Sequence, residues 1–309
     1  MDLSSIARGS VFMWFQYTFE DGSQKDKYII TLNCNIKNSN INTFKNNHIY
    51  AVLTTSKYKK HYENNSNNMI EKFNNIMKFA TDMVDINKYA LVDIIKSLLF
   101  PMQYALISGT ISKSGGRDLN YFCDFFWNDK MLCVWTEMRS NKNKVKIKDA
   151  NDNFSLNLSR DVIISTPWHN ERLLGTLSGL GYGKNKKPWR QDDNHKVETW
   201  LPWGISIVDT GNHSIAAGII SGDGYLIPNK IYDLSDIFKK VKCDGKNYIY
   251  IGPKRLKEYS HGSVHIKPND IIGYVDNINT ASVFEIGRIM TEKGIHAWPE
   301  ISFAKINED

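Results

Sequence analysis

Residues 205–225, ISIVDTGNHSIAAGIISGDGY, constrain this chain more than any other stretch. β-formers run from Ile205 to Asp209, and a tight polar turn follows over Thr210, Gly211, Asn212, His213 and Ser214. An apolar helix is predicted from Ile215 to Ile220, with an exit punctuated by Gly222 and Gly224. A strand that passes through glycine into a helix leaves the first helical N–H groups without intrahelical acceptors and aims them over the turn. The amides of His213, Ser214 and Ile215 are the expected donors. Gly211 supplies the positive φ and the close backbone approach. The expected ligand is an anion, a phosphate or a carboxylate.

The charge balance suits such a partner. The net charge of +6 makes nucleotides and nucleic acids natural ligands, and 309 residues suffice for two domains. The four cysteines, Cys34, Cys123, Cys133 and Cys243, show no C-x-x-C spacing, so reduced thiols and a cytoplasmic location are expected rather than a disulfide framework or zinc cluster. The first residues lack a basic segment followed by an apolar one, so no signal peptide is read. The nearest approach to a membrane span, residues 90–109, is interrupted by Asp93, Lys96 and Pro101, so no membrane partner is expected.

The expected class is α+β, with a β-domain over 1–65, a helical segment over 66–110 and a mixed α/β domain with accessory hairpins over 111–309. Strands are predicted at 11–19, 27–32 and 49–54, the first ending at an Asp21-Gly22 turn. Arg8-Gly9-Ser10-Val11, Asp21-Gly22-Ser23, KYIITLN at 27–33 and AVLTTSK at 51–57 together resemble the first half of the MazF/PemK toxin family. That resemblance implies a small SH3-like barrel that cleaves single-stranded RNA, with Lys27 and Thr54 at the catalytic positions. Lys27 keeps the charge of the family's arginine without its planar fork, so the resemblance speaks for the fold rather than the cleavage. The alternative is a β-domain that docks a partner protein.

Residues 61–68 read as a polar linker, with Asn68 capping a helix whose stripe is Ile70, Phe73, Met77, Ala80 and Val84. A second helix is predicted after Asn87, with Leu91, Ile94, Ile95, Leu98 and Leu99 on one face and a break near Pro101. A hairpin is expected from 121–127 and 131–136, then a basic connector over 140–152.

The chemistry-bearing region is 160–275, where Trp168, Trp189, Trp200 and Trp203 lie among polar residues. Its strand, Gly-Asn-His turn, helix and following strand after Pro228 are similar to the ParB/sulfiredoxin-like superfamily, whose Asp-Gly-Gln-His-Arg turn receives nucleotide phosphates. Gly211 and His213 match that turn, Asn212 stands for its glutamine, Thr210 replaces its aspartate and Ser214 its arginine. The resemblance implies a ParB-like domain that binds a nucleoside triphosphate with Mg2+. Arg172 and Arg190 would then replace the missing arginine as phosphate clamp, with Gly211, Asn212, His213 and Ser214. Glu171, His195, Glu198 and His213 are the candidate catalytic groups, acids, bases or magnesium holders for hydrolysis of a phosphoanhydride or phosphodiester. Two other readings stand beside this one. In one, His169, His195 and His213 with Glu171 or Glu198 form a hydrolytic metal site, His169 being the ligand candidate. In the other, the chain is a non-catalytic nucleic-acid-binding module of a defence or toxin–antitoxin operon.

Overall fold

The structure is a computed structural model that describes residues 11–18, 24–31, 51–54, 56–112, 131, 134, 137–138, 146–149, 154–180, 188–253, 256–258 and 264–298. The chain is of mixed α+β class and forms two compact units, Met1–Ile70 and Glu71–Asp309. In the first unit β1 (Val11–Thr18), β2 (Gln24–Thr31) and β3 (Ala51–Thr54) make an antiparallel sheet in that order. The Asp21-Gly22 turn lies outside the described residues.

The predicted linker at 61–68 is instead the interior of α1 (Ser56–Asn87), so Asn68 caps nothing. No glycine or proline interrupts these residues, and a helix once nucleated propagates through polar positions that water can solvate. Asn87 caps the single 3-10 turn that follows, its side chain accepting the Tyr89 N–H. From there α2 (Leu91–Ile111) continues past Pro101, which does not end it. The buried residues Leu91, Ile94, Ile95, Leu99, Gln103, Ile107 and Thr110 lie on both sides of the proline, so packing outweighs the lost backbone bond. By length and composition the stretch Asn68–Ile111 is long and apolar enough to cross a membrane, against the reading that no run reaches that length.

Two further expectations are overturned beyond α2. Residues 131, 134, 137 and 138 are helical, not the extended arm of a hairpin. Met131, Val134 and Met138 are all buried, and their spacing is that of one helix face. The other arm, 121–127, lies outside the described residues. The basic connector contains a strand, β4 (Lys146–Asp149).

The central sheet is built from β4, β6 (Ile163–Ile164), β7 (Lys196–Leu201), β8 (Ile205–Thr210) and β10 (Lys230–Asp233), in the order β4-β10-β7-β8-β6. β5 (Leu156–Asn157) pairs with β9 (Tyr225–Leu226) alongside. The pairs β6/β8 and β7/β10 are parallel, while β7/β8 and β4/β10 are antiparallel. Alternation along these strands feeds two cores. Ile164, Trp200, Ile205, Ile207 and Tyr232 join one, while Ile163, Val197, Val208 and Ile231 join the other. The second core is closed by Leu173 of α3 (Asn170–Leu177) and by Ile215, Ala216 and Ile219 of α4 (Asn212–Ser221).

The first core continues into a sheet of β11 (Val241–Cys243), β12 (Asn247–Tyr250) and β15 (Ile271–Tyr274), with β13 (Leu256–Glu258) and β14 (Val264–Ile266) forming a hairpin. Across that core packs α5 (Ile278–Glu292), capped by the Asn277 side chain, which accepts the Asn279 and Thr280 N–H groups. α5 is buried along most of its length because its residues from Thr280 to Gly287 are small or apolar, apart from Glu285.

Candidate functional site

Because β6 and β8 are adjacent and parallel, the helices that leave them start side by side at one edge of the sheet. Ile163 pairs with Ser206 and Ile164 with Ile207. Past β6 the chain runs through Ser165, Thr166, Pro167 and Trp168 to His169, the N-cap of α3. Past β8 it turns at Gly211, whose φ of 84° lies in the left-handed region, and enters α4. The helix begins at Asn212 rather than Ile215. The Ile215 N–H therefore closes the first turn on the Gly211 carbonyl at 2.9 Å and is no longer an outward donor. The first-turn amides are those of Asn212, His213 and Ser214.

The side chains expected to grip a ligand make scaffold contacts. Asn212 Oδ1 accepts the Thr166 N–H at 2.7 Å, and its carbonyl accepts the Ser165 hydroxyl at 2.8 Å. Asn212 thereby staples the end of β6 to the start of α4. The Ser214 hydroxyl and carbonyl share the Trp189 indole N–H at 3.1 and 2.9 Å. His213 Nε2 accepts the His169 N–H at 3.1 Å, so the ring is neutral with its proton on Nδ1. Trp168 stands edge-on to His213 at 5.3 Å and to His169 at 5.6 Å. Arg172, in the first turn of α3, holds its guanidinium 4.9 Å from the Trp168 ring centroid. Burial lowers the His213 pKa, and the positive charge of Arg172 lowers it further, so the local field disfavours a cation.

His195 lies beneath the turn. It is 4% exposed, and a Cβ on Gly211 would come within 2.5 Å of its Cδ2. Its Nδ1 accepts the Asp192 N–H at 2.8 Å, and its ring packs 4.9 Å from that of Trp189. Burial lowers its pKa, with the Asp192 carboxylate opposing. These contacts make His195 the floor of the turn. Glu198 sits within β7, and its Oε1 accepts the Tyr232 hydroxyl at 3.2 Å. Glu171, Arg172 and Arg190 are exposed, Glu171 and Arg172 in the first turn of α3 and Arg190 beside Trp189.

The structure thus brings His169, Arg172, Asn212 and His213 to one junction, with His195 and Gly211 behind it and Glu198 in the sheet. Among the described residues no group of three or more His, Cys, Asp or Glu is arranged to hold a metal ion. His169 and His213 meet through a backbone amide, and His169 Nδ1 is buried with no hydrogen-bond partner. In the first unit, Lys27 lies opposite Trp14, and Thr54 opposite Tyr28 in the neighbouring row. Ser165 and Thr166 belong to the junction although no motif marks them; the sole signal is a pair of small hydroxyl residues between an apolar strand and a proline.

No curated protein and no solved structure matches the chain. A family model matches residues 52–297, a span that covers the junction and most of the chain, and on that match the chain belongs to DUF6710, a family of unknown function.

Proposed function

We propose that the second unit receives the phosphate of a nucleotide or nucleic acid where α3 and α4 begin, and hydrolyses a phosphoanhydride or phosphodiester bond there. The observation that carries this reading is Arg172, which lies over Trp168 and acts on His213, so that a guanidinium and two helix N-termini share one spot. The Asn212, His213 and Ser214 amides and the His213 Nδ1–H are the donors, and Arg172 neutralises the phosphate charge. Glu171, exposed beside Arg172, is the carboxylate for proton transfer or for a water-bound Mg2+. A lone carboxylate fits Mg2+, which takes its remaining ligands from water and substrate phosphates. The same proposal includes the ParB-like character of this unit and an SH3-like, RNA- or partner-binding first unit.

The test is thermal stability of the full chain with nucleoside triphosphates, with and without Mg2+. A binding nucleotide raises the Tm by about 5 °C near saturation. Arg172→Ala removes the rise and leaves the unliganded Tm unchanged. Absence of any rise, or a rise that survives Arg172→Ala, ends the proposal. A rise with single-stranded RNA that survives Arg172→Ala and is lost in Thr54→Ala moves the activity to the first unit.

A further inference from the structure

α3 is a short helix of 8 residues, with Leu177 partly buried against the second core. Leu173 is its one fully buried residue, and its N-cap, His169, makes no side-chain capping bond. What meets the His169 N–H is His213 Nε2 of α4, at 3.1 Å. That contact exists only while Nε2 carries no proton. A protonated ring would point N–H at N–H and set a full positive charge against the starts of two helices, where both macrodipoles are positive. We infer that His213 is an acid-operated latch, its neutral ring holding the start of α3 against α4 and its protonation releasing α3.

Among the groups around the ring only the His169 backbone favours a cation, and burial and Arg172 outweigh it. From α3 come His169 and Arg172, the titratable groups that act on it among the described residues, with Glu171 exposed in the same turn. The segment before α3 presents the edge-on Trp168. On α4 itself Asn212 is bonded to Thr166 and Ser214 to Trp189, and Asp209 at the end of β8 is exposed. Burial and then Arg172 hold the His213 pKa below its ordinary value of 6.5, against a smaller opposing contribution from the His169 backbone. A lowered folded pKa means that the unfolded or released state binds the proton more readily. The latch therefore contributes fully above about pH 6.5 and is lost as the pH falls through the lowered value. This inference stands whether or not the junction binds phosphate.

Hydrogen exchange of the full chain between pH 8 and 5, corrected for intrinsic rates, tests the latch. In the wild type the α3 amides lose protection about tenfold relative to β7 and β8 as His213 titrates. His213→Gln, which keeps a neutral acceptor, retains α3 protection at low pH, and Arg172→Gln moves the midpoint upward. Protection of α3 that is indifferent to pH, or lost equally in His213→Gln, overturns the latch. Should His213→Gln fail to fold, the wild-type His213 ring titration followed by NMR decides, because a midpoint apart from that of α3 opening excludes it.

Discussion

Gly211 carries two constraints. Its φ of 84° is one that a side chain resists, and a Cβ there would meet His195 Cδ2 at 2.5 Å and the Asn194 carbonyl at 3.0 Å. Gly211→Ala is expected to cost about 1–3 kcal/mol, from the backbone term and displacement of the buried His195. The measurement is the denaturant midpoint at unchanged m-value, and a loss too small to resolve would show that the turn accommodates a side chain. The need for glycine was legible from a turn between strand and helix; the histidine beneath it was not, because His195 lies just ahead of a different strand, β7. Asn212 shows the converse. An amide in a glycine turn reads as a ligand contact, yet here its oxygen is bonded to Thr166 across two parallel strands.

At the scale of elements, the departures from expectation share one cause, in that local preference is weaker than packing or cooperativity. Pro101 lies on the exposed side of α2, whose buried residues continue past it. Pro101→Ala is therefore expected to stabilise the protein by about 1–2 kcal/mol, since alanine restores a backbone N–H without disturbing the core. Chemical denaturation checks this, and a fall in stability would mean that the proline ring itself is needed for packing. β4 was hidden by its charges. Lys146 and Lys148 make it look like a solvated connector, but lysine is common on edge strands, and among the described residues β4 is the edge of the central sheet, paired with β10 alone. Met131, Val134 and Met138 were readable as a helix face, had the period been counted at three and four rather than two.

At the scale of the molecule, one partly buried charge network ties α5 to the elements around it. Glu285 Oε1 accepts the Cys243 N–H at 2.6 Å, and Oε2 accepts Arg288 Nε at 2.6 Å. Arg288 donates in turn to the Phe238 and Val241 carbonyls. Burial in the same neighbourhood pushes the Cys243 thiol up to about 12. Glu285→Ala leaves a partly buried guanidinium and a buried amide without their acceptor, at an expected cost of about 2–4 kcal/mol, and pairing it with Arg288→Met is expected to recover part of that. Equilibrium unfolding of the single and double variants measures both, and a single-variant cost near zero would show that water replaces the carboxylate.

What the sequence determined by itself is local: the strand, glycine and helix at 205–221, the three strands of the first unit, the α+β class, and the two periodic helices. Each follows from side-chain period or from the conformational freedom of one residue, and neither depends on distant partners. Which strands lie side by side, and therefore which helix starts meet, was decided only in three dimensions. The parallel pairing of β6 with β8 sets His169 against His213, 44 positions apart. Sheet order depends on burying two apolar faces at once, a property of the whole arrangement that no single stretch encodes.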